Sequence, residues 1–167
     1  VASAVSTFVG QNYGSRNPGR IKKGIREGVA VGVIYGVGIG LVLIFCGKPL
    51  SMLFLTDSGS KTARILDASA LLLRCNGIFY WLLGILNVVR LAAQALGYSN
   101  LAIFSGVIEM VSRTIIALAL APSGGFRVIC FTDPTAWFTA ATYSSLICIY
   151  VVRKITKRLN NSESAPI

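Results

Sequence analysis

Residues 7–27 read TFVGQNYGSRNPGRIKKGIRE, and the reading of this stretch decides the fold. It closes an apolar run that starts at Val1, breaks at Gly10 and Gly14, and turns at Asn17-Pro18-Gly19. Arg16, Arg20, Lys22, Lys23 and Arg26 follow in quick succession before a long uncharged segment opens at Val29. This is a basic elbow between two hydrophobic helices. Asn17 is placed to cap the second helix, with Pro18 at its first position, where the missing N–H costs nothing. Lys and Arg beside membrane spans stay on the cytoplasmic side. The elbow therefore sets the direction of every helix after it.

The composition agrees with a membrane setting. Of 167 residues, 54% are hydrophobic and 13% charged, with a mean hydropathy of +0.69, whereas soluble domains carry about a quarter charged residues. The net charge of +10 comes from Lys and Arg at the edges of apolar runs. The positive-inside rule and anionic lipid account for them, and no zinc-finger pattern or stacking platform points to nucleic acid as a partner. The sequence has no histidine, which removes Ser-His and Cys-His nucleophile pairs and the HExxH zinc motif. The chain is accordingly not expected to be an enzyme. Cys46, Cys75, Cys130 and Cys148 are scattered through apolar surroundings, where free cysteine acts as a small hydrophobe. No metal-ligand set and no cofactor is expected.

Working outward, the run before the elbow is too short to cross a bilayer, which takes about 20 residues. It reads as the end of a helix, and the chain as a C-terminal fragment of a larger membrane protein. After the elbow, an uncharged span covers residues 29–46, with Gly28, Gly32, Gly36 and Gly40 recurring on one face as a surface for close helix packing. Gly47 and Pro49 are expected to stop it, leaving residues 50–55 as an interfacial loop. A second helix carries a span at 71–96 with Arg74, Asn76, Tyr80, Asn87, Arg90 and Gln94 as its polar groups, Arg74 and Arg90 snorkelling to opposite ends. A third span, 99–121, holds Glu109 and Arg113. Four residues apart with the acid first, they suit an i,i+4 pair, and at membrane depth such groups are costly unless paired or facing a protein interior or a wet cavity. Residues 122–125 are expected to end this span outside. Asp133-Pro134 then reads as a helix start with Asp133 as cap, and a fourth span covers 134–152. Trp137 is placed at its outer interface, Tyr150 at its inner one, and Thr139, Thr142, Ser144 and Ser145 form a strip of hydroxyls between helices. Arg153, Lys154, Lys157 and Arg158 follow, so elbow and tail both fall in the cytoplasm, and residues 160–167 read as a disordered cytoplasmic tail. The fold class is thus an all-α membrane protein, a bundle of about four transmembrane helices plus the end of a fifth.

Several motifs, in their order and spacing, resemble the multidrug and toxic compound extrusion (MATE) transporters. They are TFVGQNYG (7–14) followed by RIKKGIREG (20–28), RLAAQALGYSN (90–100), EMVSR (109–113) and DPTAWF (133–138). The resemblance implies a twelve-helix antiporter of two six-helix lobes, of which this chain holds the end of span eight and spans nine to twelve. Its partners would be the lipid bilayer, the N-terminal lobe with spans seven to eight, and small cationic organic substrates. Coupling would run on protons or sodium. The pathway candidates are Glu109, Arg113, Asn76, Tyr80, Asn87, Arg90 and Gln94. Glu109 and Arg113 match a recurring acid-and-arginine pattern of the eleventh helix, which serves as a structural ion pair or as a coupling site. Two further readings stand beside the drug antiporter: a lipid-linked oligosaccharide flippase of the same superfamily, which needs a cationic cavity for pyrophosphate, and a membrane packing module that transports nothing.

Overall fold

The computed structural model describes residues 1–53 and 60–163, and every regular element among them is helical. α1 (Ala2–Gly14) leads into the elbow and α2 (Pro18–Met52) leaves it. The Asn17 side chain accepts a hydrogen bond from the Arg20 amide at 3.1 Å, and Pro18 takes the first helical turn, as the local sequence requires. Gly10 does not break α1, which ends only at Gly14. The residue that bears the left-handed turn is Arg16, with φ 54°.

α2 has 35 residues, about 52 Å of helix at 1.5 Å per residue. That exceeds a hydrocarbon core of about 30 Å, so its basic first turns continue the helix beyond the length a bilayer core needs. Its far end also departs from expectation. Pro49 lies inside the helix, which runs on to Met52. Only the bond to the carbonyl four residues back is lost there, one turn from the end, and Ser51 Oγ donates to the Gly47 carbonyl at 2.9 Å. The expected loop at 50–55 is therefore helical up to Met52, and its remainder reaches into 54–59, outside the described residues.

α3 (Ser60–Ala95) is the centre of the bundle and touches each of the other helices. Gly28, Gly32, Gly36 and Gly40 are all buried. The last three lie on α3, where Gly77 and Gly84 face them so closely that a Cβ on either helix would run into the opposite backbone. The tight turn at Gly97, φ 86°, starts α4 (Ser99–Ile115).

Beyond α4 the helix breaks within the expected residues 122–125, though only at the last of them. A π-helical segment (Ile116–Leu120) and α5 (Ala121–Cys130) continue it, and the break falls inside α5 at Gly125, φ 60° and ψ −155°. Pro122 falls in the first turn of α5, where its missing N–H costs no helical bond, and Gly125 takes the break because glycine tolerates a positive φ. α6 (Thr132–Glu163) then returns along α3 and α4 and extends past residue 160 into the segment read as tail. Residues 164–167 lie outside the described residues.

Two apolar clusters hold the bundle. One joins Val9, Ile21, Val89, Leu96, Val151 and Ile155 from α1, α2, α3 and α6, and so brings the elbow and the basic end of α6 to the same end of the molecule. The other packs Leu82 and Leu86 on Trp137, Ala140 and Ala141. Trp137 is therefore a core residue and not an interfacial anchor. The alanines of α6 leave room for its ring, which meets Tyr80 edge-on at 5.8 Å.

Candidate functional site

The polar groups of the spans converge where α3, α4 and α6 meet. Four residues apart on α4, Glu109 and Arg113 pair at 2.8 Å, as their spacing predicts. Glu109 spends only one oxygen on that contact. Its other oxygen accepts from Arg90 of α3 at 3.0 Å, so Arg90 turns inward to the acid instead of snorkelling to the helix end. Arg113 in turn places Nε 3.2 Å from Asp133 Oδ1, and Asn76 Nδ2 donates to Asp133 Oδ2 at 3.3 Å.

Each carboxylate thus bridges two partners, in the order Arg90, Glu109, Arg113, Asp133, Asn76. The chain of contacts begins and ends on α3, at residues 14 apart, about 21 Å of helix. It amounts to a continuous polar track along most of a bilayer core. Its formal charge is zero. The Glu109 and Arg90 side chains are 19% and 23% exposed, and Arg113 is 43% exposed, so the Arg90 end is the more sheltered. Ser112 and Thr139 share a hydrogen bond of 2.9 Å beside the track and tie α4 to α6. Arg90 Nε, Arg113 Nε and Asn76 Oδ1 are buried without a hydrogen-bond partner in the protein, Arg113 Nε meeting Asp133 as an ion pair alone, which leaves polar capacity in the middle of the track as well as at both ends.

Asp133 is the member that sequence reasoning misplaced. It is not the cap of α6, since the amide of Thr135 bonds the Phe131 carbonyl and Asp133 lies within the first turn. There it gains from the helix dipole while its side chain reaches across to α4 and α3. A charge count holds the clue: Arg74, Arg90 and Arg113 sit in the spans with Glu109 as their one acid, and Asp133 lies just outside the fourth span.

Of the other candidates, Tyr80 and Asn87 lie outside the track. They line a cavity of about 480 Å³ between α1, α2 and α3, together with Tyr35, Gly36 and Gly84. Asn87 also donates to the Leu83 carbonyl at 2.9 Å. Gln94, one turn beyond Arg90, joins neither the track nor this cavity.

Among the described residues, four helices long and apolar enough to cross a membrane, locked together by glycine contacts and a neutral chain of ion pairs, define a multi-pass α-helical membrane protein. The MatE family profile matches residues 1–119, the part that holds α1 to α4 and most of the π-helical segment. This chain belongs to the MatE family, the MATE-type transporters. No curated protein and no solved structure matches it. α5 and α6, and with them Asp133, lie beyond the matched residues.

Proposed function

We propose that the protein acts in a cation-coupled efflux antiporter, with protons or sodium entering as cationic amphiphilic compounds leave. The observation that carries this over a pyrophosphate-handling flippase is the pairing of the arginines. Arg90 is held by Glu109, and Arg113 by Glu109 and Asp133, so neither offers a free positive charge to a polyanion. Arg74 stands on an exposed part of α3 and is no part of the track. The cavity lined by Tyr80 and Asn87 has the complementary chemistry for a cation. Tyr35 and Tyr80 present aromatic rings and Asn87 an amide among apolar walls, the kind of surface that attracts an amphiphilic cation through its ring faces and apolar body.

Proteoliposomes loaded with a fluorescent cationic dye provide the test. Dye efflux that starts on imposing an inward proton or sodium gradient is the expected result. Gradient-independent movement of a lipid-linked pyrophosphate, with no dye efflux, would favour the flippase.

The same reading places the elbow and the basic end of α6 in the cytoplasm. With the native cysteines replaced, Lys23→Cys should label in intact cells only after the membrane is permeabilised. Labelling from outside would reverse the topology.

A further inference from the structure

The end of the bundle that gathers the elbow and the end of α6 carries nine cationic side chains: Arg16, Arg20, Lys22, Lys23 and Arg26 from the elbow, and Arg153, Lys154, Lys157 and Arg158 from α6. Retention on one side of a membrane explains their sign but not their arrangement. Some of them are ordered by aromatic rings: Lys154 lies 5.5 Å from the Tyr98 ring and 5.8 Å from that of Tyr150, while Arg20 lies 5.8 Å from the Phe8 ring.

Phe8 is also a wall of a groove of about 430 Å³ that runs between α1 and α2. Val1, Ala4, Val5, Gly24, Gly28 and Val31 supply the rest of its apolar surface. Residues 20, 24, 28 and 31 recur at helical spacing on one face of α2, so the groove leads away from Arg20 toward the apolar middle of the helix. Gly24 and Gly28 let α1 pack close on α2, with Phe8 and Val5 taking the space a Cβ would fill, so that these two side chains form the floor of the groove. Glu27 also borders the groove, and Lys23 lies 3.8 Å from it, which offsets the acid at the mouth.

We infer that this groove holds an anionic phospholipid, its headgroup phosphate between Arg20 and Lys23 and one acyl chain along Phe8, Gly24 and Gly28. Charge complementarity selects the occupant. A zwitterionic lipid fits the apolar groove equally well but gains little from Arg20 and Lys23, which outnumber Glu27 at its mouth, whereas an anionic headgroup gains from each basic group near it. Arg20 supplies a planar fork suited to phosphate and Lys23 a point charge.

Native mass spectrometry of the purified protein tests this with phosphatidylglycerol and phosphatidylcholine of the same acyl chains. Phosphatidylglycerol should bind in preference, and Arg20→Gln/Lys23→Gln should weaken it about 30-fold, since each basic residue near an anionic lipid contributes about a fivefold effect. Both side chains are exposed, so the variant should unfold at an unchanged temperature. Lys157→Gln/Arg158→Gln removes the same charge from the same end away from the groove and should weaken binding far less. Equal loss in the two variants would replace the site with a diffuse cationic surface. Equal binding of the two lipids, or displacement of the lipid by glycerol phosphate, would also overturn the proposal.

Discussion

Gly36→Leu should eliminate most folded protein, while Gly38→Leu, two residues away on the same helix, should leave it intact. A Cβ at position 36 would stand 2.8 Å from the Trp81 Cα and 3.0 Å from the Tyr80 carbonyl oxygen, and both are backbone atoms. No rotamer relieves that contact, so α3 must move off α2. Because α3 packs on every other helix, its displacement also disturbs the α6 seam at Trp137 and the ends of the polar track. Inserting carbon into a close-packed contact typically costs 1–3 kcal/mol, and a leucine set against backbone belongs at about 3 kcal/mol or above. At Gly38 nothing lies within 4 Å of a Cβ and the position is exposed, so leucine there gains about 1 kcal/mol of helix propensity at most. The yield of monodisperse protein in detergent and its melting temperature measure both. Equal behaviour of the two variants would remove the glycine face as the basis of α2–α3 packing.

That face was legible in the sequence because four-residue glycine spacing has one helical meaning in lipid. Its partner was not, since Gly77 and Gly84 on α3 show no comparable repeat. The Asn17-Pro18 helix start was equally legible, being settled by one side-chain bond to a nearby amide. Helix ends were the weak point. Pro49 loses only one hydrogen bond, a turn from the end of α2, and remained helical, whereas of residues 122–125 only Gly125 makes the break. The ion-pair track was half visible. Glu109 and Arg113 announce themselves by spacing, but Arg90 is 19 residues from its acid and Asp133 is 20 from Arg113, separations that carry no periodic signal. Asp133 also satisfied a local rule for capping, which hid its tertiary role. Trp137 failed for the same reason: an interfacial position explains a tryptophan near a span end, and only the small residues Ala136, Ala140 and Ala141 around it betray a ring folded into the core.

Glu109→Gln should be the most damaging neutral substitution in the spans, and its rescue should depend on which arginine is removed with it. The wild-type track is balanced, two cations against two carboxylates. Losing the Glu109 charge leaves Arg113 with Asp133 but strands Arg90, the more buried of the two arginines. Breaking a buried pair on one side costs about 3–5 kcal/mol, and the partial exposure of these side chains points to about 3 kcal/mol here. Arg90→Gln/Glu109→Gln removes the stranded charge, leaves the Arg113–Asp133 pair closed, and should restore most of the lost stability. Glu109→Gln/Arg113→Gln is equally conservative by sequence yet should stay destabilised, because it leaves Arg90 and Asp133 charged with no partner between them. Melting temperatures in detergent compare the three, and equal recovery in both double variants would mean that the bridging geometry carries no energy. Transport then separates structure from coupling. If Glu109 serves to hold α3 against α4, the stable double variant exports the cationic dye and still responds to the ion gradient. If Glu109 takes up the coupling proton, the same variant folds and binds dye but no longer responds, since glutamine has no carboxylate to accept a proton. We expect the first outcome, because both Glu109 oxygens are already committed to arginines on two different helices, and protonating that carboxylate would leave two guanidinium groups facing each other with one remaining acid.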